Sequence, residues 1–454
     1  MARILQPYLF GWQEVDADSE VSRLRLVLGA MPDKALVRCL EQRRGRGVNR
    51  YPIRPCWNAL LAGVVFQHES AASLLRELRR NGELRDACGF DPFLGGDAVP
   101  SEDAFGRFLK LVCAHNEWIR EMFDELVRGL AELLPDLGRR LAADSKAIQS
   151  VGKPIRQRWV GGKPDGRRDS DANWGTKTYA GVDEKGVAWK KVSHWFGYKV
   201  HLLVDSTYEM PLAFEVTKAS ASDTRHLLPL VEQLESRLPA VAVRAEECAA
   251  DRGYDSAEND RELYDRHGIV PVIDSRVGLW QDKELTKPLD PVHPDVFVYD
   301  EKGTLSCICP QTGVARELAF CGFEADRKCL KYRCPAAAYG FECSGREACE
   351  SCAKVGDFGR TVRVPLDTDR RIFVPYARHS AKWTKAYKRR TSVERVNSRI
   401  DRLLGFEKHF IRGMAKMTFR LTLALTAMLA MALGRIRANQ REDLRSWVKP
   451  AVAA

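Results

Sequence analysis

The run LTLALTAMLAMAL, Leu421 to Leu433, holds thirteen uncharged residues between Arg420 and Arg435. It is shorter than the roughly 20 apolar residues needed to span a bilayer, so it reads as a buried helix of a folded protein. The other elements must be large enough to enclose it. With 454 residues the chain can form two or three domains with cores of their own. Its 45% hydrophobic and 29% charged content excludes disordered and fibrous classes. MARILQPYLFGWQEVDADSE has no continuous apolar segment and carries an acid by Glu14, so no secretory signal is read there. The expected setting is cytoplasmic, without a membrane, where the thirteen cysteines are reduced thiols or metal ligands.

The pattern divides the chain. Residues 1–135 read as helical: WNALLAGVVFQ, AASLLRELRRN and the segment after Ser101 place apolar residues at three- and four-residue steps. Ser101 is a candidate N-cap. From 136 to 275 short apolar runs end in polar residues. RRLAADSKAI, GYKVHLLVDS, MPLAFEVT, ECAAD and IVPVID read as strands, with helices from Ser222 or Asp223 and over SAENDRELYDRHG. This predicts a mixed α/β sheet covered by helices. Residues 276–380 form a cysteine-rich insertion expected to be irregular and strand-poor. Helices resume over 381–437, and 438–454 is a tail.

Net charge is +11 and unevenly spread. Arg378–Arg420 has thirteen Lys/Arg against Glu394, Asp401 and Glu407. Val37–Arg54 has six arginines against Glu41, and the loop-like stretch Ser150–Val200 has eleven Lys/Arg against five acids. Any one stripe can be a solvated face; three together favour a polyanionic partner, double-stranded DNA, through phosphate neutralisation.

Chemistry, if present, rests on carboxylates. Asp144 closes LAAD and Asp251 closes CAAD, and a carboxylate at a buried strand end needs hydrogen bonds or a cation. On a helical wheel of about 100° per residue, Tyr387, Arg390, Glu394 and Asp401 share one stripe, flanked by Asn397 and Ser398. Val393, Val396, Ile400, Leu403 and Leu404 form the core face, and Arg395, Arg399 and Arg402 a basic edge suited to phosphate.

Asp144, Asp251 in ADRGYDS and Glu394 in YKRRTSVERVNSRID resemble the acidic triad of DDE transposases from bacterial insertion sequences. Tyr387, Arg390 and Glu394 match the Y-x2-R-x3-E signature of one large group, and RYPIRPCWNALLAGVVFQ onward is similar to its helical N-terminal domain. The resemblance covers about residues 40–275 and 380–435. It implies an RNase H-like core in which the triad holds two Mg²⁺ or Mn²⁺ ions for cleavage at terminal inverted repeats and strand transfer to target DNA. It further implies a homodimer on DNA, with Arg43, Arg44 and Arg46 on the arm that binds ends. The pattern commonly continues with a basic residue seven positions after the glutamate. This chain has Asp401 there, so the phosphate contact would pass to Arg402 or Arg390.

Two more features bear on function. Cys329-x4-Cys334 and Cys349-x2-Cys352 have spacings that suit tetrahedral Zn²⁺, with unliganded thiols an equal alternative. Trp280 could stack on a flipped base, although a packing role is commoner for a tryptophan. Two rival functions share the sequence: a transposase-derived DNA-binding regulator, and a metal-dependent nuclease of the same fold.

Overall fold

The computed structural model describes residues 20–449 apart from 45–49, 92, 155–167, 183–186, 276–285, 291, 293–295, 310 and 346–357. Before Pro135 the periodic apolar residues form α1 (Val21–Ala30), α2 (Lys34–Arg44), α3 (Ile53–Val65), α4 (Ala71–Arg80), α5 (Gly82–Cys88), α6 (Glu102–Cys113) and α7 (Asn116–Leu133). Ser101 caps α6 as expected, its hydroxyl accepting the Ala104 N–H at 3.2 Å.

A mixed sheet follows. Its strands are β1 (Arg140–Gln149), β2 (Asn173–Val182), β3 (Ala188–Asp205), β4 (Met210–Lys218), β5 (Glu247–Ala250) and β6 (Val270–Ile273). The order is β2-β3-β1-β5-β6, with β4 also paired to β3. β1, β5 and β6 are parallel; β3 is antiparallel to β1, β2 and β4. Helices α8 (Leu227–Arg237), α9 (Pro239–Ala242) and α10 (Ala257–Asp265) connect the strands.

The stretch expected to be loop-like, 150–200, contains β2 and the first half of β3. Ala188–His194 is exposed at every residue, so that ribbon carries no apolar alternation to betray it. At Gly197 the long strand passes from β2 to β1. A Cβ there would lie 2.1 Å from the Ile148 carbonyl oxygen, so only glycine fits.

The expected strand-poor segment is corrected too. It holds β7 (Lys287–Pro288), β8 (Phe297–Tyr299), β9 (Leu305–Ile308), β10 (Ala315–Glu317), β11 (Ala319–Glu324), β12 (Cys329–Arg333), a short α11 (Pro335–Tyr339) and β13 (Thr361–Pro365). These strands make two small sheets, β10-β9-β8-β7 and β11-β12-β13. Tyr299, Leu330, Tyr332, Val364 and Phe373 supply a separate core. Strands of two to six residues are too short to show a period in sequence.

Downstream, α12 (Ala381–Tyr387) meets a 3₁₀ turn, Lys388–Arg390, before α13 (Thr391–Leu403). Gly405, at φ +74°, ends that helix unit, and α14 (Met414–Arg437) carries the apolar run. Among the described residues α14 is the one helix long and apolar enough to cross a membrane, but it is buried. It packs on α1, α3, α6, α7 and β4, joining the N-terminal helices and the sheet in one apolar core. The tail folds back, with Leu444 and Trp447 buried and Arg23 donating to the Trp447 carbonyl at 3.0 Å.

Val393, Val396, Ile400 and Leu404 are buried, as the wheel requires. The basic edge differs from expectation. Arg395 and Arg399 each reach the buried carboxylate of Glu209 at 2.5 Å, and Arg445 approaches it at 3.4 Å. These arginines tie α13 to the β3–β4 turn through Glu209, Arg399 buried in the pairing and Arg395 still half exposed. Removing one partner of a buried ion pair leaves uncompensated charge. Glu209→Ala should therefore cost about 3 kcal/mol in urea unfolding; a loss below about 0.5 kcal/mol, in the range of a neutral surface substitution, would refute this clamp.

Candidate active site

The parallel register between β1 and β5 pairs Arg140 with Glu247 through Ala143 with Ala250. The next residues are Asp144 and Asp251, so two carboxylates arrive side by side on neighbouring strands, about 5 Å apart at the backbone. Asp144 lies in mid-strand, not at the end of β1, because β1 continues antiparallel to β3 as far as Gln149. β5 does end there, as expected. Asp251 Oδ1 accepts the Gly253 N–H at 2.8 Å and starts a 3₁₀ turn over Arg252–Tyr254.

Asp144 is held from two sides. Its Oδ1 accepts the Ser145 N–H at 2.8 Å, and its Oδ2 accepts from Asn397 Nδ2 on α13 at 3.2 Å. Burial first, and repulsion from Asp251 second, push its carboxyl up to about 6; Lys177 and Arg390 act in the opposite sense. A third carboxylate joins the pair. Asp223 Oδ2 would lie 3.2 Å from a Cβ at Gly253, the same point that sits 2.8 Å from Asp251 Oδ1. Asp223 also accepts from Lys199 Nζ at 2.9 Å and faces the buried His201 Nδ1 at 3.8 Å. Beneath them the fully buried Tyr254 hydroxyl is raised by burial and then by Asp144, Asp223 and Asp251.

Glu394 lies on the Asn397 side of α13, but its carboxylate is half exposed and bonded to Arg390 Nη1 at 2.6 Å. Arg390 Nε is buried without a hydrogen-bond partner. Tyr387, whose pKa is raised chiefly by burial, also feels Asp274, Arg390 and Asp251; its ring stacks on Trp383 at 4.8 Å. Arg390 and Tyr387 thus lie within electrostatic reach of the aspartates, Arg390 acting on Asp144 and Asp251 acting on Tyr387. Among the described residues no three Asp, Glu, His or Cys converge closely enough to hold an ion as they stand. Asp144 and Asp251 are together, and Glu394 is turned to its arginine.

The other site expectations separate. Asp401 is ion-paired with Lys146 Nζ of β1. Arg402 is exposed, off the stripe that meets β1. Asp205, a strand carboxylate that could sit near a metal, accepts the N–H groups of Gly138, Thr207 and Tyr208 and serves the hairpin turn. Glu215 accepts from His226 at 2.8 Å. Arg43 and Arg44 end α2, Arg43 exposed and Arg44 partly buried; Arg46, Trp280, Cys349 and Cys352 lie outside the described residues.

The Cys329–Cys334 pair does not form a zinc knuckle. β12 occupies Cys329–Arg333, so extended backbone separates the two Cα atoms by about 16 Å. Cys329 sits by Glu324, while Cys334 lines an apolar cavity with Cys307, Cys309 and Cys343. The four-residue spacing suits a zinc pair only if the chain turns back between the two cysteines, and here it runs straight as a strand. Sequence missed Asp223, which carried only a helix-start signal, and Lys146, whose partner lies 255 residues away.

The candidate site is therefore a pair of carboxylates on neighbouring strands, Asp144 in mid-strand and Asp251 just past β5, with Asp223 near Asp251 and Asn397 of α13 on Asp144. The transposase DDE domain family matches residues 137–430, and the chain belongs to that family. It is similar to the transposase for insertion sequence element IS1106 of Neisseria meningitidis serogroup B, 28% identical over 160 residues. That match spans 33% of this chain and about half, 48%, of the relative. A solved structure of the piggyBac transposase synaptic complex with hairpin DNA aligns over 95% of this chain and 79% of its own, with 11% identity and a TM-score of 0.36, too low to define a shared fold.

The raised Asp144 has a stability consequence. Its folded pKa lies above the ordinary value of 3.8, so stability falls as pH rises from about 3.8 to about 6, the full cost stands above about 6, and below about 3.8 it vanishes. Asp144→Asn should stabilise the metal-free protein by about 2 kcal/mol at pH 7 and by nearly nothing at pH 4. Thermal melts at the two pH values check this. A variant that melts lower at pH 7 would contradict the crowding of Asp144.

Proposed function

We propose that the chain is a DNA transposase that binds the ends of its element, cleaves there and transfers the strand, using Asp144, Asp251 and Glu394 on two divalent ions. The observation that carries this is the in-register pair Asp144–Asp251, in which burial first and the neighbouring carboxylate second raise Asp144 to about 6. Such a pair fits a hard cation, because it supplies oxygen ligands and a cation would neutralise its mutual repulsion. Strand order supports an RNase H-like core: β4-β3-β1-β5-β6, three antiparallel strands then two parallel to β1, with the aspartates on β1 and after β5.

Asp144 and Asp251 would hold the ions, with Glu394 completing the set and Asp223 at its border. Mg²⁺ or Mn²⁺ bound there would supply activation of the attacking oxygen and stabilisation of the leaving one. The chain's own groups set the geometry. Asn397 fixes the Asp144 carboxylate, and the Gly253 N–H orients Asp251. Arg390 bonds Glu394 while keeping Nε unpartnered. A DNA phosphate would draw the guanidinium away and leave Glu394 free for the ions. Beside them the exposed β2–β3 ribbon offers Lys190, Lys191 and Trp189 to a polyanion. Two ends must be held together for transfer, so two copies would act on DNA, and a DNA-acting enzyme of this kind is expected in the cytoplasm.

Duplexes spanning the borders of the encoding element should be nicked with Mg²⁺ or Mn²⁺. Asp251→Asn should lower nicking at least about a thousandfold, as loss of metal-based charge stabilisation implies, while binding survives. Binding without nicking by the wild type under either ion would favour the regulator reading. Cleavage without joining of pre-cut ends would favour a nuclease.

A further inference from the structure

Resting on the transposase reading, we infer that Lys146 forms a second backbone-phosphate subsite, next to the scissile position, and that Asp401 holds its ammonium in place until DNA arrives. Asp144 and Lys146 are two residues apart on β1, so they share a strand face about 7 Å apart. Asn397 and Asp401 are four apart on α13, so they share a helix face. The two faces meet rung by rung: Asn397 donates to Asp144, and Lys146 donates to Asp401. The lysine is therefore the next polar contact beyond the catalytic carboxylate.

Charge runs the same way. Along α13 the order is Arg390 bonded to Glu394, then Asn397 at Asp144, then Asp401 at Lys146. A cation thus stands on each side of the aspartate pair. A DNA strand laid along this seam with its scissile phosphate at Asp144 brings neighbouring phosphates to Arg390 and Lys146. Lys146 keeps only 12% of its side chain exposed, so a carboxylate opposite it is a demand of its burial. An ammonium has three donors and Asp401 takes one, leaving donors for a phosphate oxygen. Beyond Lys146 opens a polar cleft of about 530 Å³ that also carries Glu69, Glu407, Lys408 and His409. Its carboxylates disfavour phosphate inside it, so the strand reaches Lys146 from the Asp144 side.

The Lys146–Asp401 bond could equally be a strut between β1 and α13, and salt dependence of DNA binding separates the roles. Each neutralised phosphate contributes roughly 0.9 to the slope of log affinity against log salt. Binding of a border duplex is measured without divalent ions for wild type, Lys146→Met, Lys146→Arg, Asp401→Asn and the exchanged pair Lys146→Asp with Asp401→Lys, each with its melting temperature. Lys146→Met should lose roughly one unit of slope and bind about tenfold more weakly, while Lys146→Arg keeps the slope. Asp401→Asn should keep the slope, since the ammonium remains, and the exchanged pair should restore it from the helix side. An unchanged slope in Lys146→Met overturns the inference. So does an equal loss in Lys146→Met and Asp401→Asn, which marks a strut. Failure of the wild type to nick with Mg²⁺ or Mn²⁺ would sink the transposase reading, and the slopes would still decide whether Lys146 meets phosphate.

Discussion

Two like charges on adjacent parallel strands are the constraint around which the catalytic half is organised. The register that pairs Ala143 with Ala250 leaves no freedom about where Asp144 and Asp251 go next. Their proximity costs stability in the free protein, and each neighbour limits that cost differently. Asn397 and the Ser145 N–H hydrogen-bond one carboxylate, the Gly253 N–H the other, and Lys199 answers Asp223. On the proposed reading, that repulsion would be relieved by bound cations.

Helix α13 is the second half of the site and must be held without blocking its polar face. Its core residues sit on the sheet, its basic edge is fixed by Glu209 behind, and its stripe of Glu394, Asn397 and Asp401 remains over β1. The apolar α14 lies beneath and carries the N-terminal helices on the same core.

Much of this was legible from sequence where a local rule applied. Short apolar runs ending in aspartate marked β1 and β5, although β1 runs on past Asp144 to Gln149, three- and four-residue steps marked the helices, and the wheel of α13 separated its core face correctly. Elements without a local signature escaped. Ala188–His194 of β3 is exposed on both faces, so it has no alternation, and the short strands between Lys287 and Pro365 have no room for one. Long-range pairings decided the rest. Asp401 looked like a flaw because its partner is on β1. Arg395 and Arg399 looked free because Glu209 is 186 and 190 residues away. Cys329 and Cys334 looked like a pair because spacing alone cannot distinguish a turn from a strand.

The central claim is that Glu394 shares an ion with Asp144 and Asp251, although in the free protein it is bonded to Arg390. Fe²⁺ can take the place of Mg²⁺ at oxygen sites, and with ascorbate and peroxide it cuts the backbone nearest to it. In the DNA-bound protein the account predicts cuts next to residues 144, 251 and 394, all suppressed by excess Mg²⁺. Cuts near 144 and 251 alone, with 394 intact, would contradict it.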